Sequence, residues 1–233
     1  VPTLILNDAA GTEDQPLALH LSAALTDTDG SESLAITILG VPEGVELSSG
    51  IDNGDGSWSL SASDLEHLTL TPPAGSDLEF TLTVIATSTD GTDSAATLGT
   101  VDVRFAPDAD PPVLTLSDAS GNEDTAIPLD ISATLADMDG SESLAITITG
   151  VPDGASLSAG IDNGDGTWTL SAEDLDGLTI TPPADSDAEF DLAMTAVSTE
   201  NQNGDTASMT GILHVDVTAV ADELNLAAEA AGS

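Results

Sequence analysis

Carboxylates are the side chains whose number and spacing in this sequence could do chemistry. Asp27-Thr28-Asp29-Gly30-Ser31-Glu32 returns as Asp137-Met138-Asp139-Gly140-Ser141-Glu142, Glu13-Asp14 returns as Glu123-Asp124, and Asp108-Ala109-Asp110 lies between the two sets. Acids one to three residues apart in turn-forming sequence can aim several oxygens at one point. That is what a hard cation needs: Ca²⁺ takes about six to eight oxygen ligands with tolerant geometry, whereas Mg²⁺ demands a tighter octahedron and keeps its waters. The competing reading is that these acids solubilise the chain and occupy turns, where Asp-x-Asp-Gly is at home.

Charge balance narrows the partners. Against 42 Asp and Glu the chain has one basic residue, Arg104, for a net charge of −41. Nucleic acid and anionic membranes recruit proteins through Lys and Arg that displace counterions, so neither is an expected partner. Inorganic cations are the natural counter-charge. Strong acidity with few aromatics can also mean disorder, but 40% hydrophobic content set in alternation is not what a solvated tail maintains. With no cysteine, disulfides and thiolate chemistry are absent, and no apolar run approaches the length of a membrane span. No leader of charged, then apolar, then small residues opens the sequence, so the chain reads as a fragment of a longer protein, and this fragment is not expected to insert in a membrane.

An internal repeat organises the acids. From Ser22 to Pro73 roughly three quarters of positions are identical to those 110 residues later, Trp58 matching Trp168 and Pro72-Pro73 matching Pro182-Pro183. Val101-Asp102-Val103 aligns with Val215-Asp216-Val217 only if the second copy carries four extra residues, which belong in a surface loop. The expected boundaries are a first repeat over 1–106, a stiff proline-rich linker over 107–111, a second repeat over 112–221, and the start of another linker in 222–233.

Within each copy the apolar period is two: Leu17, Leu19, Leu21, Ala23 and Leu25 alternate with small or polar residues, as do Phe80, Leu82, Val84 and Ala86. Around seven such runs per copy, broken by turn sequences, predict an all-β chain of two tandem immunoglobulin-like or cadherin-like Greek-key sandwiches joined end to end. A single helical turn is expected near residues 63–68. Asp52-Asn53-Gly54-Asp55-Gly56 lacks the ligand spacing of an EF-hand and reads as a tight hairpin. Trp58 and Trp168 read as core rather than as a sugar platform.

These elements place the acids. In an immunoglobulin-like path the loop after the second strand lies at the end the linker enters, bringing Asp137, Asp139 and Glu142 beside Asp108 and Asp110. Glu123 and Asp124 join them if the preceding strand bends toward that end, giving up to seven converging carboxylates. The first copy repeats the pattern with Glu13, Asp14, Asp27, Asp29 and Glu32. Asp64, Asp90, Asp174 and Glu200 are secondary candidates from neighbouring loops.

At this point the wording of the repeat is informative. Glu123-Asp124, Asp137-Met138-Asp139-Gly140 and a linker after Val101-Asp102-Val103 resemble the calcium ligands of cadherin repeats. Gly-Ile-Asp-Asn-Gly-Asp-Gly, Thr-Trp-Thr-Leu-Ser-Ala-Glu-Asp-Leu and Leu-Thr-Ile-Thr-Pro-Pro resemble the extender repeats of giant bacterial RTX adhesins. The linker departs from the cadherin Asp-x-Asn-Asp-Asn pattern, and the RTX nonapeptides are absent. The resemblance implies a secreted, monomeric, cell-surface spacer with Ca²⁺ at its linkers, whose partners are neighbouring repeats of the same chain and which projects an adhesive tip for biofilm formation or host attachment.

Enzymatic motifs are missing. No phosphate loop, Gly-x-Ser-x-Gly elbow or His-Glu-x-x-His is present, and His20, His67 and His214 fall where the other copy has Asp130, Gly177 and Thr100. Each histidine therefore reads as exposed surface rather than as a catalytic base. Two alternatives to the spacer stay open: a module binding a glycan or protein through the divergent loops 90–96 and 200–208, and a sandwich pair with no specific metal.

Overall fold

In a computed structural model the described residues are 1–27 and 29–221. Thr28 and the expected tail 222–233 lie outside them. The fold is all-β, two tandem Greek-key sandwiches of the immunoglobulin-like or cadherin-like kind, with one 3₁₀ turn per repeat at Ala62–Leu65 and Glu173–Leu175. Among the described residues no helix is long and apolar enough to cross a membrane.

The first repeat runs β1 (Thr3–Ile5), β2 (Ala9–Thr12), β3 (Leu17–Ala18), β4 (Ser22–Ala24), β5 (Ser33–Leu39), β6 (Glu46–Leu47), β7 (Ile51–Asp52), β8 (Ser57–Leu60), β9 (Thr69–Thr71), β10 (Glu79–Asp90) and β11 (Asp93–Ala106). One sheet has the order β2-β11-β10-β5-β8-β7, and facing it are β3-β9-β6 and the pair β1-β4. The single alternating run from Leu17 to Leu25 is thus divided between two sheets. Its buried members still alternate, with Leu19 and Leu21 inside.

Period-two burial is cleanest in β10, where Leu82, Val84 and Ala86 are sealed from solvent while the residues between them are not. Ile36, Ile38, Leu70, Val101, Val103 and Phe105 complete this core. The second repeat repeats it with Ile146, Ile148, Ile180, Leu192 and Val215. Trp168 is buried in that core and Trp58 is half-buried against the first.

The Asp-Asn-Gly-Asp-Gly segment is a hairpin, as its turn residues predict: Ile51 pairs with Ser59, and the Gly54 N–H donates to the Asp52 carboxylate at 2.8 Å. Gly50 enters it at φ +100, and a Cβ there would stand 2.8 Å from Leu60 Cγ and 3.1 Å from the Ser59 carbonyl oxygen. Gly50→Ala is therefore expected to cost about 2 kcal/mol, from left-handed strain plus displacement of Leu60. The urea midpoint measures it; an unchanged midpoint would show that the hairpin shifts freely.

A kink after β1 decides where the site forms. β1 pairs antiparallel with β4, but β2 crosses over and pairs parallel with β11, Ala9 with Val103 through Thr12 with Ala106. A strand running parallel to the last strand ends where that strand ends. Hence Glu13, the next residue, arrives at the exit of its own repeat, its N–H bonded to the Ala106 carbonyl at 3.0 Å.

By compactness the chain divides into two units. The first holds Val1–Ala109 with Asp137–Ser141 and Glu200–Asp205; the second holds Asp110–Ala136, Glu142–Thr199 and the described residues from Thr206 on.

Candidate metal centre

The first unit gathers the acids around Glu13. Glu13 is 2% exposed. Oε1 accepts the Asp108 N–H at 2.6 Å, while Oε2 is buried with no hydrogen-bond partner. Leaving a carboxylate oxygen dry and unsatisfied is costly. The group responds as it must: burial pushes its pKa up to about 7, the Asp108 N–H pulls it down, and the negative charges of Asp137, Asp14 and Asp139 raise it further.

Asp14 stands at φ 58, and its carboxylate accepts the Gly75 N–H at 2.9 Å. Gly75 itself has φ +60 and lies under Asp137, so close that a Cβ on it would be 2.5 Å from Asp137 Oδ1. A side chain at 75 would displace the Asp137 carboxylate.

The loop 137–141 is self-ordered. The Asp139 N–H donates to Asp137 Oδ1 at 2.9 Å and the Ser141 N–H to Asp139 Oδ1 at 2.7 Å. Desolvation works against the Asp139 carboxylate, yet bonds from Ser141 hold it below the usual carboxylate range. It stays ionised. Asp108, by contrast, is raised, first by sharing a hydrogen bond with the Asp205 carboxyl and then by burial and by Asp14.

The four-residue insertion forms the turn Glu200–Asp205. Its Asn203 amide donates to the Pro107 carbonyl at 2.9 Å, its Asn201 N–H to the Ser141 carbonyl at 3.0 Å, and its Gln202 amide to Asp77. Glu200 is fully buried, and its Oε2 has no hydrogen-bond partner.

Of the acids expected to meet, the unit brings together Glu13, Asp14, Asp108, Asp137 and Asp139. Asp110 and Glu142 belong to the second unit, where the Asp110 N–H donates to Glu142 Oε1 at 2.8 Å and Glu142 is buried. The expected bend of Glu123 and Asp124 toward the incoming linker is corrected. The strand Ala119–Asn122 runs parallel to Thr206–Thr218, so Glu123 sits at the exit of its own repeat, bonded to Thr218 and Val220, and Asp124 accepts the Asp185 N–H. The two acids accept in the second repeat the backbone N–H bonds that correspond to those of Glu13 and Asp14 in the first. Asp27 and Asp29 are exposed, with the Asp29 N–H on Asp27 and Ser31 on Asp29; Glu32 is half-buried.

Sequence reasoning had no signal for Gly75, since the second copy carries Asp185 there, also at positive φ (52). Glu200, a secondary candidate from the sequence, aligns with Asp90 and borders the inserted residues. Asp64 and Asp174 instead close their 3₁₀ turns, each accepting from a serine N–H.

The donor set fits a hard divalent cation: carboxylate oxygens only, one of them buried and unpartnered beside further negative charge. Among the described residues no group of three or more His, Cys, Asp or Glu side chains is placed to hold a metal ion.

No family model matches the chain, and no curated protein does. Solved structures similar to it include human protocadherin-24 EC1-2 (16% identity, TM-score 0.40, covering 93% of this chain and 98% of that one) and the titin domains Z1Z2 in complex with telethonin (12%, 0.35, 94% and 98%). The D00-D0 domain of intimin is another (17%, 0.29, 92% and 99%).

Proposed function

We propose that the chain is a structural spacer of a secreted bacterial surface adhesin, an extender of the RTX-adhesin kind, in which Ca²⁺ stiffens the linker between repeats. One observation carries this reading: the buried, half-satisfied carboxylate of Glu13 faced by Asp14, Asp137 and Asp139. Glu13, Asp14, Asp108, Asp137 and Asp139 would hold the ion. It would supply positive charge where burial and mutual repulsion otherwise disfavour ionised acids. Glu123 and Asp124, at the equivalent exit of the second repeat, offer the same groups to whatever follows them.

Binding of a separate ligand through the divergent loops has less support. The first is a two-residue turn, Asp90 pairing with Asp93, and the amides of the second are engaged with Pro107 and Asp77. A binder needs an exposed anchor there.

Small-angle scattering with and without chelator tests the spacer: Ca²⁺ removal should broaden the distance distribution of wild type and leave Asp137→Asn/Asp139→Asn unaffected. A wild-type curve indifferent to Ca²⁺ would end the reading.

A further inference from the structure

Both tryptophans of the chain border a cavity of the same construction. In the first repeat the Val41 N–H bonds the Gly56 carbonyl at 3.0 Å and the Val45 N–H bonds the Pro42 carbonyl at 3.2 Å, which lays the turn 42–45 against the hairpin of β7 and β8. Between them is an open cavity of about 480 Å³, lined by Pro42, Glu43, Asp52, Trp58 and glycines that put no side chain into it. Each lining position recurs 110 residues later around a cavity of about 130 Å³, with Asp153 and Asp162 as the acids and Trp168 as the indole.

Strand register sets the indole beside the acid. Trp58 stands opposite Ile38 on one neighbour and Asp52 on the other. Ile38 is sealed in the core, so Trp58 points to the same side of the sheet. But β7 is a two-residue edge strand, and what it sets across from the indole is a carboxylate. An aliphatic side chain there would close the core over the ring; both repeats have an acid instead. Trp58 is therefore half-buried, packed on the core and bordering the cavity. Directly opposed residues on antiparallel strands have Cβ atoms about 4.5–5.5 Å apart, so the Asp52 carboxylate is within reach of a group resting on the ring.

We infer that the cavity at Trp58 binds a weakly hydrated organic cation of the alkylammonium class, at a place apart from the acids around Glu13. The face of an indole attracts such a cation. Glu43 and Asp52 add negative charge beside it, and the chain's −41 charge raises the local cation concentration. Ca²⁺ is the wrong guest: two carboxylates, one of them already accepting the Gly54 N–H at 2.8 Å, fall short of its six to eight oxygens. A neutral sugar would find no basic or amide side chain in the lining to bond its oxygens. The second repeat is the internal control, because Trp168 is only 9% exposed and its cavity is the smaller.

Tetramethylammonium titrated into the whole chain, at constant ionic strength and in millimolar Ca²⁺, tests the site. The readout is the pair of indole N–H resonances, assigned with Trp58→Phe. The Trp58 signal should move saturably with a midpoint on the order of millimolar, since one cation–π contact and two exposed carboxylates each contribute little, while the Trp168 signal moves less. Neopentyl alcohol, uncharged and of nearly the same shape, should leave both in place. Glu43→Gln, at an exposed position, should raise the midpoint roughly two- to fivefold, and Glu46→Gln, exposed but outside the cavity, should not. A Trp58 signal that ignores tetramethylammonium, that follows the alcohol equally or that only matches Trp168, or a midpoint indifferent to Glu43→Gln, would each overturn the inference.

Discussion

Saturating Ca²⁺ is expected to raise the unfolding free energy by about 4 kcal/mol once free ion exceeds its dissociation constant about a thousandfold, and the gain should grow from pH 5 to pH 8. The pH dependence follows from Glu13. Its folded-state pKa of about 7 lies above the ordinary 4.5. Between those values the metal-free folded chain holds a proton that the unfolded chain has released. Stability from this group is therefore complete below about pH 4.5 and lost as pH rises through about 7, by up to about 3 kcal/mol. On the proposed reading Ca²⁺ takes the proton's place, so its affinity is expected to climb over the same window. Urea titrations at pH 5 and pH 8, in chelator and in Ca²⁺, measure all four states. Glu13→Gln should remove much of the fall in chelator and much of the gain in Ca²⁺. If the variant keeps the wild-type response to Ca²⁺, Glu13 is not a ligand.

Phe105→Ala is expected to cost the first repeat about 3–5 kcal/mol. Phe105 is 2% exposed and among the largest fully enclosed side chains of its core. Its N–H bonds the Leu78 carbonyl at 2.9 Å, and its strand ends at Ala106, the residue that anchors the Glu13 N–H. Truncation leaves a cavity beside the strand end that positions Glu13, so, if the proposed Ca²⁺ site is right, weaker Ca²⁺ binding should accompany a melting temperature lowered by roughly 15–30 °C. Calorimetry and Ca²⁺ titration report the two effects separately. A drop of only a few degrees would mean that the neighbouring Leu and Val side chains collapse into the space.

The acids were legible in the sequence as a repeated vocabulary, but their grouping was not. Asp137 and Asp139 could be assigned to one loop because Asp-x-Asp-Gly-Ser sets its own turn through local bonds, and the structure shows those bonds. Glu123 could not be placed from spacing, because its location depends on which end of the sandwich the preceding strand runs toward.

What the residue order determined by itself was everything local or periodic. Alternation at period two fixed which faces are buried, the 110-residue repeat doubled the sandwich, and Asn-Gly-Asp-Gly set the hairpin. The tertiary structure decided what depends on distant pairing. A four-residue parallel ladder of β2 on β11 carries Glu13 to the repeat's exit, and the positive-φ turn at Gly75 comes to lie under Asp137. No short-range pattern encodes either, because strand choice is made by the whole sheet's hydrogen bonding and burial, and only then do separated side chains become neighbours.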